Sequence, residues 1–140
     1  MKPAPFEYHA PETLDEALRL KSELGPEASV LAGGQSLVPL LNMRLAAPEA
    51  LIDLRKLDEL RYINLADDAV AVGAMTTHRA LERSDAAYSA CPLIREALEL
   101  VAHAIVRNRG TIGGSVAHAD PAAELPSVLV ALGGKVKARS

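Results

Sequence analysis

Cysteine is nearly absent: Cys91 is the only one in 140 residues. An internal disulfide is excluded, and so is a cysteine-built iron–sulfur or zinc cage within this chain. Tryptophan is missing and aromatic residues make up 3% of the total. Stacking platforms for single-stranded nucleic acid therefore have few side chains to use, and the core must rest on Leu, Val, Ile and Ala. Positive charge is not in excess either. With a formal net charge of −3, the surface as a whole does not attract nucleic acid or an anionic membrane. Phosphate recognition, if present, has to be local. No stretch approaches the roughly 20 apolar residues of a membrane span. Met1-Lys2-Pro3-Ala4-Pro5 leads into Phe6-Glu7-Tyr8-His9 without the apolar run of a secretory signal. The expectation is a cytoplasmic protein with no membrane span and no nucleic-acid partner. His9, His78 and His103 are too scattered for a metal site, and Cys91 reads as a small packed residue.

What is present is a soluble globular balance, 49% hydrophobic and 24% charged. Pro3, Pro5 and Pro11 hold the start extended. Thr13 and Glu16 have capping-box spacing, Leu14, Ala17, Leu18 and Leu24 recur at helical intervals, and Gly25-Pro26 ends that helix. Ala28–Ala32 reads as a buried strand, residues 37–45 as a helix with Pro39 in its first turn, and residues 51–54 as another strand. Strand, helix, strand favours parallel pairing through a crossover. The character changes near residue 60. Residues 62–65 and 69–73 read as two strands joined by a tight acidic turn at Asp67-Asp68. Thr76 or Thr77 caps a short helix towards Arg83, and Pro92 opens another through Val101. The expected division is 1–58, a small α/β subdomain, and 59–140, a second subdomain. Lys135–Arg139 alternates like the start of a strand with no partner after it, so the second subdomain is expected to be incomplete at its C-terminus.

Two glycine pairs carry the functional signal. Ala32-Gly33-Gly34-Gln35-Ser36 lies between a strand and a helix, and Thr111-Ile112-Gly113-Gly114-Ser115 repeats the layout. Glycine permits positive φ and leaves no Cβ between backbone and ligand. Successive N–H groups can then converge on an anion, Ser36 and Ser115 add hydroxyls, and the helix after the first pair presents unpaired N–H groups. Two such loops face to face suit a diphosphate. Neither fits the Rossmann or the Walker pattern, and a Gly-Gly pair on its own is often a plain turn. The residues alone reach a diphosphate-containing small molecule and stop there.

A resemblance goes further. Leu31-Ala32-Gly33-Gly34-Gln35-Ser36-Leu37-Val38-Pro39 resembles the first FAD-pyrophosphate loop of the flavoprotein subunits of carbon monoxide dehydrogenase and related molybdenum hydroxylases, the xanthine dehydrogenase family. Arg107-Asn108-Arg109-Gly110-Thr111-Ile112-Gly113-Gly114-Ser115 resembles their second loop. Val116 to Pro126, Ile52-Asp53-Leu54 and Val72-Gly73-Ala74-Met75-Thr76-Thr77 are also similar, in order, across residues 5–134. The resemblance implies an α+β, PCMH-type FAD-binding fold: a small parallel βαβ subdomain, then a larger, mostly antiparallel one, with FAD between them. It implies that Ala32, Gly33, Gly34, Gln35 and Ser36 hold the pyrophosphate together with Thr111, Ile112, Gly113, Gly114 and Ser115. Asp120 and Glu124 would meet FAD hydroxyls, with Glu124 at the better-matched position, or else cap and charge a helix start. His118 would donate to the cofactor or stand as a loop histidine. Arg107 and Arg109 would steer phosphates or pair with carboxylates. The implied role is electron transfer from an iron–sulfur subunit, beside a large molybdenum subunit, through FAD to a terminal acceptor, with no catalytic acid or base from these motifs. The alternatives are a self-contained flavin oxidase or reductase of the same superfamily, and a non-catalytic nucleotide-binding fragment.

Overall fold

The computed structural model describes residues 1–66 and 69–140, so the expected acidic turn at Asp67-Asp68 lies outside the described residues. The first helix forms as its caps dictate. In α1 (Leu14–Leu24) the Thr13 hydroxyl accepts the Glu16 amide at 3.2 Å. The Glu16 carboxylate returns a bond to the Glu12 amide at 2.9 Å, one residue before the cap. Gly25, at φ +65°, ends the helix, in the left-handed region where glycine carries no Cβ penalty. Its inner face places Ala17, Leu14, Leu20 and Leu24 against Ala28, Ala50, Ile52 and Leu57, with Leu54 and Leu60 at the margin. Ile52 and Leu57 are fully buried, each worth roughly 1.5–3 kcal/mol of transfer free energy.

That core lies on a three-stranded parallel sheet of β1 (Glu7–His9), β2 (Ala28–Leu31) and β3 (Ala50–Asp53), in the order β1-β3-β2. The central β3 is buried at all four positions, as a strand covered on both faces should be. Between β2 and β3 runs α2 (Leu37–Asn42). It stops three residues before the expected Leu45 because Arg44 turns to φ +57° and the Leu45 amide folds back to the Leu40 carbonyl at 2.9 Å.

The rest of the described chain is mainly helical around a pair of antiparallel strands. β4 (Ile63–Ala66) and β5 (Ala69–Val72) pair antiparallel, Ile63 opposite Val72. Ile63, Val70 and Val72 pack on a cluster of Leu81, Ala87, Leu98 and Leu125. The helices are α3 (His78–Glu82), α4 (Asp85–Ala90), α5 (Pro92–Leu100), α6 (Ala104–Arg107), α7 (Ile112–His118) and α8 (Glu124–Ala131). Thr77 caps α3 through the Ala80 amide, and Pro92 opens α5. The sequence reading had no helix at α4, which Ser84 caps through the Ala87 amide at 3.2 Å. Lys135–Arg139, expected to begin a strand, has no regular structure. Arg139 instead reaches Asp15 at 3.0 Å.

A short ladder runs through the second half. The Met75 amide donates to Leu60 and the Gly73 amide to Tyr62, while the Thr76 hydroxyl bonds both backbone groups of Tyr62. From the other edge of the same strap, Ile112 donates to Thr76, Gly113 donates to Ala74, and His78 donates to the Gly110 carbonyl. The second glycine pair is thereby fastened to the segment that follows β5.

Candidate functional site

Leu31 and Asp53 are paired at the carboxyl ends of β2 and β3, where open parallel sheets place their ligand crevices. The chain leaves β2 through Ala32 and Gly33, and Gly34 adopts φ +72°, which an L side chain rarely tolerates. At Gly33 the constraint is space. A Cβ there would run into the Arg109 carbonyl oxygen and come within 2.9 Å of Gly110 Cα. The two glycine segments, some 80 residues apart in sequence, are thus in direct backbone contact. Among the described residues, the amides of Gly33, Gly34, Gln35 and Ser36 donate to no protein acceptor. The Gln35 side chain turns inward, its Nε2 donating to the Gly33 carbonyl at 3.2 Å. Beside these amides opens a cleft of about 360 Å³, lined also by Leu31, Val38, Pro39, Asp53, Arg55 and Arg109. That volume is at the lower end of the ~300–1,000 Å³ range for small-molecule sites.

The second segment is built differently from the expected twin loop. Thr111 is a helix cap, its hydroxyl accepting the Gly114 amide at 3.2 Å, so Ile112 to Ser115 form the first turn of α7. Ile112 donates to Thr76 at 3.0 Å, Gly113 to Ala74 at 2.9 Å and Ser115 to Thr111 at 3.0 Å. With these four amides engaged inside the protein, the segment cannot form a convergent cluster of free donors. Its glycines serve close approach instead. A Cβ on Gly113 would lie 2.6 Å from Ala74 Cβ, and one on Gly114 would face Ala32 Cβ at 3.5 Å. Ser115 is half-buried on the same turn, and its hydroxyl makes no hydrogen bond among the described residues.

The flanking residues divide by role. Arg107 is structural: it bonds Glu82 at 3.2 Å and the carbonyls of Val101 and Ala102 at 2.9 Å. Glu82 also meets Arg79 at 2.9 Å. Burial works against the Glu82 charge, but hydrogen bonds from Arg79 and Arg107 outweigh it and hold the carboxyl below the usual range. Arg109 is exposed on the cleft, with no ion-pair partner for its guanidinium among the described residues. Asp120 closes a local turn, its Oδ1 accepting the Ala122 amide at 2.9 Å. Glu124 is half-buried at the start of α8, and His118 is exposed at the end of α7. Of the expected site residues, Ala32, Gly33, Gly34 and Gln35 line the cleft, and Ser36, Thr111 to Ser115, His118, Asp120 and Glu124 do not.

Four residues that sequence reasoning did not place at the site belong to its frame. Asp53 is 6% exposed. It accepts the Tyr8 hydroxyl at 2.6 Å and the Arg55 amide at 2.9 Å, with the Arg55 guanidinium at 3.4 Å. The bond to Asp53, with burial adding, holds the Tyr8 phenol above its usual range. The available signal was an Asp ending a parallel strand beside a glycine loop. Tyr8, 45 residues away, gave none. His78 is buried under the second segment, its Nε2 3.1 Å from the Thr111 carbonyl. Burial pushes its imidazole below the ordinary value, with Arg107 adding, against the Thr111 bond and the charge of Glu124.

Comparison with known proteins shows the family. Residues 4–140 match the family described as FAD binding domain in molybdopterin dehydrogenase. The chain is 47% identical over its full length to 6-hydroxypseudooxynicotine dehydrogenase complex subunit alpha of Paenarthrobacter nicotinovorans, covering 47% of that protein. It is 45% identical to the carbon monoxide dehydrogenase medium chain of Hydrogenophaga pseudoflava, over 94% of this chain and 46% of that one. A solved structure of carbon monoxide dehydrogenase from Hydrogenophaga pseudoflava, lacking the Mo-pyranopterin moiety of its cofactor, superposes with a TM-score of 0.91 at 46% identity. It covers 94% of this chain and 46% of that chain. The chain spans about half the length of the curated relatives it matches. Matched over nearly all of its residues in sequence and in structure, the chain belongs to the FAD-binding domain family of the molybdopterin dehydrogenases.

Proposed function

We propose that this chain holds FAD as part of the electron-transfer flavoprotein subunit of a molybdenum hydroxylase such as an aerobic carbon monoxide dehydrogenase. The observation that carries the reading is the backbone contact of Gly33 with Arg109 and Gly110. It holds a row of amides without acceptors among the described residues, Gly33 to Ser36, of which Gly33, Gly34 and Gln35 line the cleft. These residues fit a diphosphate: uncharged donors in succession, no Cβ in the way, and Arg55 and Arg109 on the rim. Ala32 to Ser36 would bind the diphosphate directly. Thr111 to Ser115 would support that loop from beside it, Gly114 facing Ala32, with Ser115 offering its hydroxyl. Glu124, with Asp120 and His118 nearby in sequence, would supply partners for hydroxyl groups of the cofactor. FAD, when bound, supplies one- and two-electron redox chemistry, and the protein supplies binding and orientation. No side chain here is assigned as a catalytic acid or base.

A division of the chain at residues 58 and 59 is part of this reading. It is supported by two separate apolar clusters, one under the parallel sheet and one among the later helices. Partner subunits carrying iron–sulfur clusters and the molybdenum centre are proposed because the relatives are described as a medium chain and as a subunit of a complex. No described helix is long and apolar enough to cross a membrane.

The test is FAD uptake by the chain and by its Gly33→Val, Gly114→Val double variant, followed by flavin absorbance after gel filtration. The parent should carry the yellow chromophore, and the variant should lose it while keeping its helical circular dichroism. Stoichiometric FAD in the variant would show that the glycine segments are ordinary turns. Purification of the native complex with iron–sulfur and molybdenum subunits tests the wider assignment.

A further inference from the structure

His78 opens α3 with 5% of its surface exposed. Its amide donates to the Gly110 carbonyl at 2.8 Å. Its ring lies against the same residue: a Cβ on Gly110 would be 3.0 Å from both Cε1 and Nδ1. On its other side Gly110 meets the first glycine segment, the missing Cβ of Gly33 pointing to within 2.9 Å of Gly110 Cα. A single glycine therefore separates the imidazole from the loop with the unpaired amides.

The hydrogen bond fixes the tautomer. A carbonyl oxygen only accepts, so the Nε2 facing Thr111 carries the proton. Nδ1 is then the bare nitrogen. It is buried with no hydrogen-bond partner in the protein among the described residues. We propose that His78 is a positioning residue for the cofactor site: the neutral ring, bonded to Thr111 and packed on Gly110, holds residues 110–113 at the spacing from Gly33 that FAD requires. The inference rests on the FAD reading above.

The chemistry follows from what surrounds the ring. A second proton would sit on Nδ1, pointing at Gly110 with no acceptor. Burial opposes the added charge, and so does Arg107 from α6. Glu124 from α8 favours it. On its own helix, Arg79 and Glu82 are paired with each other, and Glu82 also with Arg107. Acid therefore forces the ring to leave its pocket, which breaks the Thr111 bond and frees Gly110 to move against Gly33. The sign is that of a base with a lowered value in the folded chain. The neutral arrangement is fully present above the ordinary imidazole value of 6.5 and is lost only as pH falls through the folded value, which burial holds below it.

The experiment titrates the full chain with FAD by flavin fluorescence, from about pH 7.5 to about pH 4.5, reaching past the window of an ordinary imidazole because burial holds the His78 ring below it. It compares the parent with His78→Gln, which keeps a donor near Nε2 but cannot titrate, and with His78→Leu, which keeps neither. The parent should bind about tenfold more weakly at the acid end, the equivalent of one lost hydrogen bond. H78Q should bind like the neutral parent across the range. H78L should be weak throughout, with its circular dichroism retained. Amide exchange of Ile112 and Gly113 without FAD gives a second readout, faster in H78L than in H78Q. If H78L fails to fold, the parent and H78Q still decide the matter, because matching pH profiles overturn the inference. A parent chain that takes up no FAD overturns the cofactor reading and this inference with it. FAD binding that is unchanged in all three proteins overturns the inference alone.

Discussion

Between β2 and α2, Gly33 and Gly34 leave four consecutive amides without an acceptor among the described residues. In the first turn of α7, Gly113 and Gly114 sit among amides that are all engaged. The two glycine pairs look alike in sequence and perform different tasks. In the first, one glycine supplies a positive φ and the other allows contact with Arg109 and Gly110. In the second, Thr111 takes the Gly114 and Ser115 amides, and Thr76 and Ala74 of the strap take those of Ile112 and Gly113. A diglycine thus reports that a Cβ is unwelcome. Whether the backbone is free for a ligand depends on what is packed beside it.

Substitutions can break this contrast in graded steps. The largest effect is expected for Gly33→Val. Overpacking costs about 1–3 kcal/mol, and here the strain is relieved by driving the two segments apart. FAD affinity, measured by fluorescence titration, should fall about 100-fold, the upper part of that range. Next is Arg107→Met, which leaves Glu82 with one partner. A loss of about 1.5–3 kcal/mol is expected for hydrogen bonds to a charged group, read by urea denaturation. The Glu82 carboxyl is held low in the folded chain, so its contribution is present above the ordinary value of 4.5 and is lost as pH falls through the folded value. The variant should show less of that acid-side loss. Gly113→Ala follows, at about 1–3 kcal/mol because the new methyl meets Ala74. It should appear as a lower melting temperature already without FAD. Gly34→Ala should cost about 1–2 kcal/mol through its left-handed φ, its new methyl also lying 3.0 Å from Val38 Cγ2, with α2 retained by circular dichroism. The smallest change is Arg109→Ala. Stability should stay within about 0.5 kcal/mol, while FAD binding weakens a few-fold and becomes less sensitive to salt.

Much of the frame was legible locally. Thr13 with Glu16 and Gly25-Pro26 bounded α1, short apolar runs marked β2 and β3, and Pro92 opened α5. The contact between the glycine segments was reached by argument from their shared layout, and Gly33 against Arg109 is its physical form. The helical state of Ile112 to Ser115 was not legible. Glycine is a poor helix former, and only tertiary packing against Ala74 overrides that preference. The end of α2 depends on one left-handed arginine, Arg44. Tyr8 with Asp53 and His78 with Thr111 are 45 and 33 residues apart, and such pairings leave no periodic trace in a single sequence. Arg107 and Arg109 illustrate the same limit. They are two residues apart, yet one is locked in an ion pair and the other faces the cleft.

Backbone amide exchange on the full chain, with and without FAD, tests the central contrast most directly. The account predicts fast exchange at Gly33 to Ser36 without FAD, slowed strongly when FAD is added, and protection at Ile112 to Ser115 already in place beforehand. Protection of the first set without FAD, or FAD-induced protection confined to the second set, would contradict it.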